Sequence, residues 1–221
     1  MPITLGLIPD GKFPTQLRQA ITALQHLLDL GVKPENIQLA GDSAGAVLIH
    51  QVLSHMLHPL EGVPQVILTA PLGGAYLMSP WAKMSDDPLF YTNLDKGDII
   101  DVPTGIYWAS IVLDGISLNL LPYVEANSSP EEWLEGVEKY VKRIFFSIGT
   151  SEILRDSSIK YAKTIEKYHK EIIIFMQEDG IHVDPYFTFL VQDKDLGPVT
   201  PFLIDWLDKG FLQHHLVLGN L

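Results

Sequence analysis

Asn36-Ile37-Gln38-Leu39-Ala40-Gly41-Asp42-Ser43-Ala44-Gly45-Ala46-Val47-Leu48-Ile49-His50 is the stretch that decides the fold. The short apolar run Asn36 to Ala40 leads into a glycine, as buried parallel strands do. Residues Ala44 to Met56 read as a helix, and Ser43 stands between two glycines at the junction. A strand, a tight turn and a helix around Gly-x-Ser-x-Gly form the context that a nucleophile elbow requires. Such a turn is strained, so the positions two before and two after the serine are expected to carry almost no side chain. The turn lifts the serine oxygen above the sheet, and the helix aims its first N–H groups at the same point. The pattern predicts Ser43 as a nucleophile and the backbone N–H of Ala44 as one oxyanion donor. A plain tight turn that happens to contain serine is the simpler alternative. The strand before it and the helix after it favour the elbow.

Working outward, the same alternation continues. Leu17, Ala20, Ile21, Leu24, Leu27 and Leu28 recur at helical spacing, and Gly31 follows as a stop. After the elbow helix, Ala75 to Met78 reads as a strand ended by Ser79-Pro80, with Gly73-Gly74 before it read as a turn. Ile144 to Ile148 reads as the next strand, Ser158 to His169 as a helix, Ile172 to Met176 as a strand and Pro201 to Lys209 as a closing helix. The expected fold is therefore α/β, a mostly parallel sheet flanked by helices on both faces. Residues from about 83 to 140 break the rhythm. They contain helix-like pieces, among them a helix start at Ser129-Pro130-Glu131-Glu132. A helical insertion there, within one domain over 1–221, is expected to act as a lid.

Composition bounds the partners. The 221 residues are 47% hydrophobic and 19% charged, those of an ordinary globular domain, and the formal net charge is -12. That charge argues against nucleic acid and against anionic membrane surfaces. With no cysteine, disulfides, thiolate metal sites and cysteine nucleophiles are excluded. No apolar run approaches a membrane span and the N-terminus does not read as a signal peptide, so a cytoplasmic location is expected.

A serine nucleophile needs a histidine base, and the histidine needs an acid to hold its tautomer. His26, His50, His55 and His58 lie on or after helices, His169 closes a helix where a cation suits the dipole, and His214 and His215 fall in the tail. His182 differs, because it lies in the loop after a late strand, at the sheet edge where open α/β sheets bind ligands. In the loop after Ile148, Glu152 and Asp156 both qualify as the acid. Glu152 is favoured, since Asp156 is also placed to cap the following helix. Trp81, Phe90, Tyr91, Tyr107 and Trp108 are candidates for an apolar acyl pocket, although aromatic residues more often serve as plain core.

These residues resemble the hormone-sensitive-lipase-like branch of the α/β hydrolases, the alpha/beta hydrolase fold-3 group, and fungal members in particular. Gly41-Asp42-Ser43-Ala44-Gly45 is similar to that group's G-D-S-A-G form. Pro9 to Pro14 with Gln16 to Ala20 resembles the segment before the elbow, and Ser79-Pro80-Trp81 a motif after the next strand. Gly149 to Asp156 is similar to the acid loop, which places the acid at Glu152, and Gly180-Ile181-His182 to the histidine loop. The resemblance implies cleavage of carboxylic esters of small or medium apolar substrates through Ser43, His182 and Glu152, with no cofactor or metal. It also implies an upstream H-G-G-G-type oxyanion segment, which has no counterpart here. The first strands and part of the lid are thus expected to lie outside an N-terminally truncated chain. Loss of one oxyanion donor costs about 10²–10³ in turnover. A non-catalytic small-molecule binder on the hydrolase fold, or an inactive fragment, is therefore the alternative reading.

Overall fold

In a computed structural model, residues 5–84, 91, 97–192 and 194–212 are described. Four strands, β1 (Gln38–Asp42), β2 (Gly74–Met78), β3 (Ile144–Gly149) and β4 (Ile172–Gln177), form one sheet in sequence order, and every neighbouring pair is parallel. The inner strands β2 and β3 are buried along their whole length, whereas β1 and β4 at the edges are mostly half-buried. Burial on both faces explains why Ile144-Phe145-Phe146 reads as a continuous apolar run.

Helices cover both faces. The helices α1 (Thr15–Asp29), α2 (Ala44–Leu57) and α5 (Arg155–Glu166) bury Leu17, Ile21, Leu53 and Ile165 against Leu77, Ile144 and Phe146. On the other face Trp206 of α7 (Val199–Leu212) packs with Tyr76, Met78 and Phe145. Between β2 and β3 the chain forms α3 (Val102–Leu113), the short α4 (Leu121–Val124) and single 3-10 turns, with no strand in a named sheet among the described residues. Val47, Trp81, Ala109, Val124, Ile153 and Leu154 make a separate apolar cluster that ties this segment to the elbow helix.

Several boundaries differ from the sequence reading, each for a local reason. The first strand lies at 38–42, not 36–40, because Pro34–Asn36 closes a 3-10 turn. Gly73-Gly74 is not a turn. Gly74 opens β2, and at Gly73 a Cβ would stand 2.4 Å from the Glu35 carbonyl oxygen, so the pair serves close approach of chains. The helix expected from Ser158 begins at Arg155, since the Ser157 hydroxyl donates to the Leu154 carbonyl and that of Ser158 to the Pro80 carbonyl. Ser129-Pro130 starts only a 3-10 turn, with the Ser129 hydroxyl donating to the Pro122 carbonyl instead of capping. A true cap lies elsewhere in the insertion, where Asp101 accepts from the Thr104 N–H at 2.8 Å. The helix α6 (Asp184–Leu190) was not foreseen, although Asp184-Pro185 is a helix-start signal.

Candidate active site

The register of the sheet brings four loops to one edge. Asp42 pairs with Met78, Met78 with Ser147, and Ser147 with Phe175, so the segments that follow each strand leave side by side. Ser43 is the residue next after β1. Its φ of 51° lies in the left-handed region that non-glycine residues occupy at a cost of ~1–3 kcal/mol. It is pinned from both sides: its N–H donates to the Met78 carbonyl at 2.9 Å, and its own carbonyl accepts from Trp81 at 3.3 Å. A Cβ on Gly41 would stand 2.5 Å from the Gly45 carbonyl, so glycine is required there. Gly45 corrects the symmetric expectation. A Cβ there meets nothing within 4 Å, because the position faces open space and not the turn. Ala44 is the first residue of α2, where backbone N–H groups have no partner within the helix.

The acid and histidine loops are tied to each other by their backbones. The Ser151 N–H donates to the Gly180 carbonyl at 2.8 Å, the Thr150 N–H to that of Gln177 at 2.9 Å, and the Asp179 N–H to the Thr150 hydroxyl at 2.8 Å. Contact is so close that a Cβ on Gly149 would lie 2.3 Å from the Gly180 oxygen. The histidine loop also reaches β2's loop, since the Val183 N–H donates to the Ser79 hydroxyl at 3.0 Å. Ser79 is one residue beyond Met78, which holds Ser43. Among the described residues, Ser43, Ser79, Asp179 and Val183 are four of the five non-glycine positions with positive φ. Backbone strain of this kind clusters at functional sites.

Glu152 and His182 are 0% and 2% exposed, and Nδ1 of His182 stands 3.6 Å from Oε2 of Glu152. Both Glu152 oxygens and that Nδ1 have no hydrogen-bond partner. Burial pushes the Glu152 carboxyl above the usual carboxylate range; His182 and the Ser79 hydroxyl pull against it, and the charge of Asp98 adds to the rise. Asp156, the other acid candidate, lies at the surface, 2.8 Å from Arg155.

A small cleft borders Ser43, lined by Trp81, Ile100, Gly105, Trp108, Ile153 and Leu154. Of the aromatic candidates, Trp81 and Trp108 line it, while Tyr91 is buried against Gly105. Tyr107 is 63% exposed and does not line it, and Phe90 lies outside the described residues. A larger cavity of about 320 Å³ lies over Gly41, Asp42 and Tyr76 beneath Tyr186 and Leu203; it touches none of Ser43, Glu152 and His182. His50, His55 and His58 have structural roles. His55 pairs with the Pro64 carbonyl and the Leu60 N–H, His58 stacks on Trp133, and His50 bridges α2 to Pro122 and Tyr161. His169 does not close α5, which ends at Glu166; it is buried and bonded to the Val141 carbonyl at 2.8 Å. His214 and His215 lie outside the described residues.

Sequence reasoning missed Asp98, whose carboxylate accepts from the N–H groups of Ile153 and His182, both at 2.8 Å. No helix among the described residues is long and apolar enough to cross a membrane.

A family model described as alpha/beta hydrolase fold matches residues 5–185. The chain is 21% identical to neutral cholesterol ester hydrolase 1 of Bos taurus, over 94% of this chain and 64% of that protein. Among solved structures it is similar to EstE5, at 26% identity and a TM-score of 0.67, over 83% of this chain and 57% of the other. It is also similar to carboxyl esterase 2 of the mycorrhizal fungus Tuber melanosporum, at 18% identity and a TM-score of 0.71, over 94% and 64%. The chain spans less than two thirds of the length of each.

Proposed function

The chain belongs to the alpha/beta hydrolase fold family, and on that premise we propose that it hydrolyses carboxylic esters through Ser43, His182 and Glu152. The Ser43 oxygen attacks the ester carbonyl carbon while Nε2 of His182 takes its proton. The Ala44 N–H donates to the oxyanion that forms. Collapse breaks the bond to the alcohol, which leaves with the proton from His182. Water then repeats the sequence on the acyl-enzyme and frees the acid. Glu152 holds the Nδ1–H of His182 and stabilises the ring when it is cationic.

The observation that carries this reading is the buried pairing of Glu152 with His182, beside the edge where Ser43 is held strained. A buried carboxylate without hydrogen bonds is costly, and its neighbour at 3.6 Å is the group it would orient. Apo triads are often this loose and tighten with substrate. The apolar lining of Trp81, Ile100, Trp108, Ile153 and Leu154 beside Ser43 favours small or medium apolar acyl groups. Because Ile100, Gly105 and Trp108 come from the segment between β2 and β3, that segment acts as the lid.

Hydrolysis of a p-nitrophenyl ester series by this chain and by Ser43→Ala tests the proposal. Ser43→Ala is expected to lower kcat/KM by about 10³-fold or more with little change in thermal stability. Equal turnover by the two proteins rules the mechanism out.

A further inference from the structure

Of the polar contacts at the site, those of Asp98 come from outside the sheet. Asp98 belongs to the insertion, four residues before α3, and is half-buried. Its Oδ2 accepts from the Ile153 N–H and its Oδ1 from the His182 N–H, each at 2.8 Å; Oδ1 also accepts from the Ile99 N–H. Ile153 directly follows Glu152, so one carboxylate grips the acid loop and the histidine itself. The backbone bonds at Thr150 and Ser151 join the same loops further from the triad atoms.

We infer that Asp98 is a positioning residue that sets the separation of Glu152 and His182, and so makes catalytic geometry depend on docking of the insertion. The inference rests on the esterase reading above. Two charge-assisted hydrogen bonds from backbone N–H groups to a carboxylate are short, directional and stronger than neutral ones. They fix the two backbones relative to one another, whereas the Glu152 and His182 side chains share no hydrogen bond that would do so. A loop displacement of an ångström at such a pair costs turnover more than binding. Asp98 does not touch the reacting atoms. It acts through the two residues it aligns.

Asp98→Ala removes both acceptors and the charge, while Asp98→Asn removes the charge and keeps one acceptor. If Asp98 positions, the plateau kcat of Asp98→Ala falls by roughly 10–100-fold with KM within about threefold, and Asp98→Asn recovers part of the loss. If Asp98 acted by charge alone, both variants would only shift the acid limb of the pH profile, equally, and salt would erase the shift. The His182 ring resonances, followed by NMR in all three proteins, are a readout independent of turnover. They are expected to change in chemical shift and to broaden in Asp98→Ala as the ring loses its fixed setting, and to do so less in Asp98→Asn. An Asp98→Ala plateau within twofold of wild type, or His182 ring resonances unchanged in position and width, overturns the inference. Should Asp98→Ala fail to fold, Asp98→Asn with the same two readouts decides, an unchanged kcat and unchanged ring resonances counting against it. Should the chain show no Ser43-dependent turnover, the esterase reading falls by itself. The ring resonances then still judge Asp98, since an unchanged His182 signal removes its positioning role.

Discussion

His50 and His182 are both buried histidines, one beneath the insertion and one at the sheet edge, and they are built in opposite ways. Nε2 of His50 faces the Pro122 carbonyl at 2.8 Å, so that nitrogen carries the proton, and Nδ1 accepts from the Tyr161 hydroxyl at 3.1 Å. Its ring is fully partnered and neutral. His182 has an unpartnered Nδ1 beside a carboxylate that also has no partner. A satisfied buried polar group holds a structure together. One left unsatisfied in a strained loop points to chemistry.

The largest contrast is in activity. His182→Ala is expected to lower kcat/KM by about 10³-fold or more while changing stability little. His50→Ala leaves the buried Tyr161 hydroxyl without its acceptor beside a cavity, the Pro122 carbonyl keeping only the Ser129 hydroxyl, and is expected to cost about 2–4 kcal/mol of stability. Turnover per folded molecule should stay within about threefold, because His50 lies further along α2 than Ala44 and its bonds run to Tyr161, Pro122 and Ser54, not to Ser43, Glu152 or His182. Urea titrations alongside kcat/KM for both variants check this. A His50→Ala protein as stable as wild type, or a His182→Ala protein of full activity, breaks the distinction.

A smaller effect is read from acid. Burial lowers the His50 pKa from its ordinary 6.5 to about 4, the Pro122 carbonyl opposing the shift in part. The unfolded chain therefore takes up the proton first as pH falls. Stability contributed by the neutral ring is complete above 6.5 and is lost down to about 4, a loss on the order of 3 kcal/mol at most. In His50→Gln that part of the slope is expected to vanish. The urea midpoint followed between pH 7 and pH 4 measures it, and identical slopes in both proteins would remove His50 as the cause.

The two regions were not equally legible. Ile144-Phe145-Phe146 and Ile172-Ile173-Ile174 announce strands because apolar side chains on both faces leave no alternation to misread, although only the first is fully buried and the second is a half-buried edge. Ser43 was legible because its motif encodes a backbone conformation, and that backbone has φ 51°. The edges of helices were less so. Asp156 is placed in the sequence to cap the helix that follows, yet that helix already begins at Arg155 with Leu154 as its N-cap, so Asp156 lies within the first turn. Glu152 and Asp156 share one loop in the sequence, and only folding separates a fully buried carboxylate from one that is paired with Arg155 at the surface. Asp98 left no signal, because its partners are backbone N–H groups 55 and 84 residues further along, and any residue type supplies those.

Glu152 gives the smallest and sharpest form of the comparison, because its pH dependence carries the opposite sign to that of His50. Burial raises its pKa, so the folded chain holds the proton more tightly than the unfolded chain does. Stability from this group is therefore greatest below the ordinary carboxylate range, and it is lost as pH rises through the raised value. The ionised form of Glu152 weighs against the fold. Glu152→Gln, which cannot ionise, is expected to gain in Tm relative to wild type as pH increases from 4 towards 7, while kcat/KM falls because Nδ1 of His182 loses its anionic partner. Differential scanning fluorimetry across that range, with turnover measured on the same samples, reads both changes together. Stability and activity moving in opposite directions would mean that the carboxylate is kept for catalysis at the expense of the fold. A Glu152→Gln protein that loses both would make Glu152 a structural residue like His50, and the acid of the triad would have to be sought elsewhere.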